Sequence, residues 1–346
     1  MKAAVYKGKQ KFNIETLSIP ELKSNQVLIK VKYSGICGTD VHAFQYDIAP
    51  PGTVLGHEYS GDIAAIGPKV TSFKIGDRVI GTGGNPPKGQ GPGFLWNERF
   101  NFRTMGYSSN RKRGYAEYVL TDDWEPIPIP QEVTYLQAAL CEPCGVTIKA
   151  IRSSNFKLGD TVAIFGGGPI GMLMLQVARI AGASKIIATE ISQARIDALY
   201  KLGADKVVNP IKENVVSAIE DFTENKGVDI AFECAGFGET LDQAFNVVSH
   251  SGQVMLVALA WEPIPLTPVN WASREVKMQT TFGARPIDYK LALDFICKNK
   301  IEIDSIVTNT QYIDLENIQK AFESLIKPKN ELKVVKASAR AQAITG

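Results

Sequence analysis

Cysteine, histidine and long apolar runs are all scarce in this chain, and each scarcity removes a class of protein. Among 346 residues there are five cysteines, Cys37, Cys141, Cys144, Cys234 and Cys297. So sparse and odd a set does not make a disulfide framework, and a reducing, cytoplasmic setting is expected. No apolar run approaches the ~18 residues that a spanning helix needs, so no membrane partner is expected. The opening MKAAVYKGKQKF lacks the apolar core of a secretory signal and reads instead as a first strand, Ala3 to Tyr6. Charge of one sign is lacking as well: 38 Lys and Arg meet 36 Asp and Glu, for a formal net charge of +2. That balance supplies no long-range field for nucleic acid. Only three histidines occur, which makes the neighbourhood of each informative.

What is present fits a globular protein of two domains, with 45% hydrophobic and 21% charged residues. Residues 1 to about 148 carry short apolar runs broken by Gly and Pro, such as Val27 to Val31 and Gly61 to Ile66, and predict a mostly β domain. Residues 149–278 alternate strands and helices. Thr161 to Phe165 reads as a strand, Pro169 opens a helical period through Val177 and Ala178, and Gly182 stops it. Lys185 to Thr189, Val228 to Glu233 and Gln253 to Leu259 supply further strands. Such alternation implies a parallel sheet covered on both faces. From 279 onward the pattern is mixed and is assigned to the first domain. Residues 82–114 stand apart as a long, polar, Gly/Pro-rich loop containing the basic run Arg111-Lys112-Arg113, read as a solvated face.

The six residues Gly166-Gly167-Gly168-Pro169-Ile170-Gly171 fit G-x-G-x-x-G between a strand and a helix. Gly166 permits the tight turn, Gly168 lets backbone approach a pyrophosphate, and Gly171 lets helix pack on strand. Pro169 and Ile170 open the helix whose N-terminus faces the phosphates. Glu190, at the end of the next strand, is placed to accept hydrogen bonds from ribose hydroxyls, which favours NAD over NADP. Arg195, nearby, could accept a 2′-phosphate instead.

Three separated segments carry metal-ligand residue types beside glycine: Gly35-Ile36-Cys37-Gly38-Thr39-Asp40-Val41-His42, Gly56-His57-Glu58 and Cys141-Glu142-Pro143-Cys144. One Cys, one His and one carboxylate would give zinc three ligands and leave a position open, the mark of a catalytic site. Spacing alone does not separate that reading from ordinary buried side chains.

The segments GICGTDVH, LGHEYSG, EPCGV and GGGPIG, in this order, resemble the zinc-containing medium-chain dehydrogenases, over residues 1 to about 335. The Glu142-Pro143 pair resembles the polyol branch of sorbitol, butanediol and threonine dehydrogenases. The resemblance implies a Rossmann doubly wound parallel sheet over 149–278 and a mostly β GroES-like catalytic domain over 1–148 and 279–346. It implies one catalytic zinc per chain on Cys37, His57 and Glu142, with Glu58 a fourth, exchangeable ligand. Asp40 would orient His57, and Thr39 and His42 would relay the proton. The implied reaction is reversible, NAD-linked oxidation of a secondary alcohol (polyol, sugar-alcohol phosphate or diol) to a ketone, in a homodimer or homotetramer. Oxidation of a 3-hydroxy amino acid is the enzymatic alternative, and a non-catalytic NAD-binding structural protein the alternative from another class. The sequence departs from the family in three places. Residues 82–114 lack the four cysteines that hold a structural zinc in most relatives. Ala43 stands where the sorbitol enzymes have an aromatic residue, and Gly283, with Arg285 beyond it, stands where they have an arginine. Cys141 and Cys144 are expected to pack rather than ligate, Cys234 to line the cofactor floor, and Cys297 and His250 to be structural or surface residues.

Overall fold

The computed structural model describes residues 1–81, 107, 109, 112–307, 312–328 and 331–338. It divides into two compact units, 1–142 with 307–346, and 143–306.

The first unit is built on an antiparallel sheet. Its spine pairs β3 (Gln26–Gly35) with β4 (Glu58–Ile66), in a register that sets Gly35 opposite Glu58. The end of one strand and the start of the other carry the two glycine-flanked motifs, so this register alone brings residues 37 and 57–58 together. The last described strand, β15 (Val335–Ala337), joins β3 on the other side with Val335 opposite Gly35. Ile36 N donates to Val334 O at 3.0 Å, which delivers Lys333 to the same corner. Gly35 is required there. A Cβ on it would stand 2.0 Å from Glu58 Oε2 and 3.1 Å from Lys333 Cε.

Helix α1 (Gly38–Gln45) follows directly and carries Thr39, Asp40 and His42. Its inward face is pinned by Phe44, which stacks on Phe12 at 5.3 Å and meets Phe322 edge-on at 5.3 Å. All three rings are buried, and such pairs contribute about 0.5–1.5 kcal/mol each beyond burial. Ala43 is buried in the same apolar cluster.

The second unit is a six-stranded parallel sheet in the order β10-β9-β8-β11-β12-β13, made by Lys206–Val208, Lys185–Thr189, Thr161–Phe165, Val228–Glu233, Val248–Leu256 and Lys277–Thr280. Strand β8 feeds α4 (Pro169–Ala181), which ends at Gly182 with φ 101°. The unit extends to residue 306, past the alternation read from the sequence. The reason is α9 (Pro286–Cys297), which packs on the helix Cys141–Ser153. Tyr289 lies against Gly145, leaving no room for a Cβ there, and Arg152 pairs with the buried Asp288.

Candidate metal centre and cofactor cradle

Ligand atoms of Cys37, His57 and Glu58 all lie within 4.8 Å of one another. They come from the N-cap of α1, from the residue preceding β4 and from its first residue. Asp40, fully buried, stands behind them with Oδ1 3.4 Å from His57 Nδ1. Burial opposes ionisation of Asp40, but His57 and the hydroxyls of Tyr107 and Tyr115 outweigh it and hold its pKa down at about 2. Burial likewise disfavours a charged His57, yet Asp40 and the Cys37 sulfur raise its pKa well above the usual histidine range.

Glu58 is not alone. Lys333, 4% exposed, donates to Glu58 Oε1 at 2.7 Å and to Ile36 O at 2.9 Å. Glu58 Oε2 is 2.6 Å from the same ammonium, an ion pair without hydrogen-bond geometry, and has no hydrogen bond among the described residues. Burial works against the Lys333 charge, and Glu58, Cys37 and Glu142 overcome it, so its pKa is raised.

Glu142 is not among the three clustered residues. It feels the same charges, however. Burial first, then Glu58 and Asp40, push its pKa up to about 7 against the opposing pull of His57 and Lys333. The corner thus holds a thiol, an imidazole and three carboxyl groups against one ammonium. Negative neighbours favour the proton on His57, and burial above all favours it on Glu142. A divalent cation would satisfy these groups instead, displacing protons as it binds. A soft sulfur, an imidazole and a carboxylate are a donor set that suits zinc. The residues fit that metal.

The relay candidates sit on α1 beside this corner. The Cys37 thiol points to Thr39 Oγ1 at 3.6 Å, and His42 lies one turn on, half-buried, with its pKa lowered by burial.

In the second unit the glycine motif forms a cradle. Gly166 turns at φ 94°, and a Cβ on Gly171 would lie 1.9 Å from Gly166 O. Around Gly168 the space is open, the nearest atom to a Cβ being Arg195 Nη1 at 3.9 Å. Pro169 occupies the first turn of α4 and Ile170 follows it. Glu190 directly follows β9 and is buried, with Oε1 accepting from Ile191 N at 2.8 Å and Ser192 N at 2.9 Å. Arg195 Nη1 lies 3.8 Å from Glu190 Oε2.

Most of the other singled-out residues are packing. Cys141 and Cys144 are fully buried, and burial pushes the Cys144 thiol up to about 12. Burial raises Cys234 well above its usual value. His250 is exposed beside Ser251. Arg111 lies outside the described residues. Lys112 donates to Gly52 O and Ser109 O at 2.6 Å, and Arg113 covers the Tyr107 ring at 5.5 Å. Arg285 is exposed, at the N-cap of α9, while Lys149 holds Phe282 O at 2.6 Å. Lys333, Tyr107 and Tyr115 are the site residues that sequence reasoning missed. The signal for Lys333 was a charge inside the otherwise apolar run Leu332 to Val335. The tyrosines gave none.

Residues 23–131 match the model of the alcohol dehydrogenase GroES-like domain and residues 169–298 that of zinc-binding dehydrogenases. The chain is 32% identical to (R,R)-butanediol dehydrogenase of Bacillus subtilis (strain 168), over 97% of its length and 99% of that protein's. The chain belongs to the zinc-binding dehydrogenase family. Sorbitol dehydrogenase of the same organism is also 32% identical, over 97% of this dehydrogenase and 96% of that one. A protein from Sinorhizobium meliloti 1021, described as a zinc-binding dehydrogenase and solved with NADP bound, superposes with a TM-score of 0.87 at 30% identity, covering 97% of this dehydrogenase and 99% of that chain. The family resemblance carried by the four motifs, and the α/β fold of a GroES-like unit with a Rossmann unit, are therefore correct for this dehydrogenase.

Proposed function

We propose that this dehydrogenase oxidises a secondary alcohol, a polyol, sugar-alcohol phosphate or diol, reversibly to a ketone with NAD, using one zinc held by Cys37, His57 and Glu142 with Glu58 as an exchangeable fourth ligand. The reading is carried by the convergence of the Cys37, His57 and Glu58 donors in one buried, electronegative corner. Relatives named for butanediol and sorbitol support the substrate class.

When bound, zinc supplies stabilisation of negative charge on the alcohol oxygen, and the nicotinamide supplies the hydride acceptor. The chain's own residues do the rest. Thr39 accepts the alcohol's proton and donates its own, as a hydroxyl can. His42, kept neutral near pH 7 by burial, takes that proton toward solvent. Asp40 holds the tautomer of His57 through Nδ1. In the second unit, Gly166, Gly168, Pro169, Ile170 and Gly171 receive the pyrophosphate at the start of α4, and Glu190 receives the ribose.

The buried Glu190 carboxylate favours NAD, since a 2′-phosphate there would meet a like charge. Arg195, 3.8 Å from it, favours a second reading in which NADP is also taken, and a relative of 30% identity was solved with NADP. Assembly as a homodimer or homotetramer fits β13, whose Lys277, Met278 and Thr280 are exposed at the sheet's edge. No described helix is long and apolar enough to cross a membrane. The first experiment is elemental analysis of the purified protein together with NADH formation on a panel of polyols and diols. Cys37→Ser and His57→Ala should each reduce zinc content and bring turnover to background. Full activity in metal-free protein would sink the reading.

A further inference from the structure

Tyr107 and Tyr115 both end on Asp40, and neither has a part in the chemistry above. They are 4% and 0% exposed. Tyr107 donates its hydroxyl to Asp40 Oδ1 at 2.7 Å, and Tyr115 donates to Oδ2 at 2.8 Å. Gly35 O lies 3.1 Å from the Tyr115 hydroxyl as well. A phenol has one proton, and the closer, charged acceptor takes it. Each oxygen of the carboxylate therefore has a phenol of its own. The remaining contacts of Asp40 are looser: His57 Nδ1 at 3.4 Å and Gly56 N at 3.5 Å.

A carboxylate with no exposed surface is fixed by the hydrogen bonds it receives. Here the two short ones come from the phenols and not from the imidazole. The tyrosines arrive from opposite sides of the problem. Tyr115 is bonded by its backbone to the segment leading into His57, with Tyr115 N donating to Leu55 O at 2.9 Å and Gly114 N to Gly56 O at 2.7 Å. Tyr107 belongs to the cysteine-poor stretch 82–114, and Arg113 from the same stretch covers its ring.

We propose that Tyr107 and Tyr115 are positioning residues of the metal centre: together they lock the plane of the Asp40 carboxylate facing His57 Nδ1, 3.4 Å away, so that the imidazole keeps its orientation and offers its other ring nitrogen to the ion. This rests on the reading of Cys37 and His57 as zinc ligands.

The test uses the full-length, zinc-loaded protein with Tyr107→Phe, Tyr115→Phe and the double variant. Each keeps its ring, so packing is preserved and only the hydrogen bond is removed. Zinc release to a chromogenic chelator is timed, the visible spectrum of the cobalt-substituted protein is recorded, and the melting temperature of the metal-free protein is measured. Each single variant should release zinc about tenfold faster and the double variant up to about a hundredfold faster. The cobalt bands should shift, while the metal-free melting temperature of Tyr107→Phe stays near that of the parent. Release at the parent rate with an unaltered cobalt spectrum in Tyr107→Phe overturns the proposal, whether or not Tyr115→Phe folds. A parent protein that takes up no zinc overturns the functional reading and this proposal together. A parent that binds zinc, with variants that behave like it, overturns this one alone.

Discussion

Lys336 offers a direct test of how much a buried charge costs this fold. It lies in β15, 2% exposed, and its ammonium donates to Ala116 O at 3.2 Å. Across the strand pair stands Ser34, whose buried hydroxyl has no hydrogen bond among the described residues. Burial pushes the pKa of Lys336 down from 10.5 to about 8, and Glu117 only partly opposes it. Below pH 8 the lysine is charged in both folded and unfolded chains, and the folded state bears the full cost of burying it. The gap between 10.5 and about 8 corresponds to about 3 kcal/mol. Between pH 8 and 10.5 the unfolded chain holds the proton that the folded chain has lost, so stability rises with pH through that window. Lys336→Met keeps an unbranched apolar stem and removes the charge. It also loses the bond to Ala116 O, worth about 1 kcal/mol. The variant should be more stable than the parent by about 2 kcal/mol at pH 7 and about equal to it at pH 10. Urea unfolding of both proteins at the two pH values, followed by circular dichroism, measures the difference. A variant that is less stable at pH 7, or whose difference from the parent is the same at both pH values, refutes the reasoning.

Two further substitutions test the cofactor cradle. Glu190→Ala should weaken NAD by about tenfold, or ~1.4 kcal/mol, and narrow the preference over NADP, read as the ratio of kcat/KM for the two cofactors; an unchanged ratio would remove Glu190 from ribose recognition. Gly171→Ala places a Cβ 1.9 Å from Gly166 O, so the turn must open. It should cost about 1–3 kcal/mol of stability and weaken cofactor binding measured by NADH fluorescence.

The second unit was the more legible of the two because its signals are local. Strands Thr161–Phe165, Lys185–Thr189 and Val228–Glu233 stand where their apolar runs stand, and α4 runs from Pro169 to a stop at Gly182. Local patterning failed where packing decides. The pattern from 279 onward is mixed, yet α9 begins at Pro286 and its burial against Gly145 carries 279–306 into this unit. The short helix α1 was not foreseen, since eight residues with glycine at the start show no period. In the first unit the ligand types could be read from GICGTDVH and GHE, but not the register, Gly35 opposite Glu58, that joins them. The family resemblance implies one partner for Asp40, His57, and the structure puts four groups of described residues within 3.5 Å of it. Two of those are tyrosines 67 and 75 residues away along the chain, a distance over which no local pattern carries information.

Lys333 shows why the charge of the corner has to be counted as a whole. Cys37, Glu58, Glu142 and Asp40 are four groups that can be anionic, and a divalent ion with a neutral His57 balances only two of them. Asp40 accepts hydrogen bonds from the two phenols and a backbone amide, with His57 Nδ1 3.4 Å away. Glu58 is matched by the Lys333 ammonium. That leaves Cys37 and Glu142 as the anions for the ion to neutralise, which is the ligand set proposed above. Glu58 then need not ligate permanently. Both of its oxygens lie beside the Lys333 ammonium, at 2.7 and 2.6 Å, and its carboxylate also lies within reach of Cys37 and His57. A carboxylate already charge-balanced from behind can approach or leave an ion at small electrostatic cost, because neither position strands a buried charge.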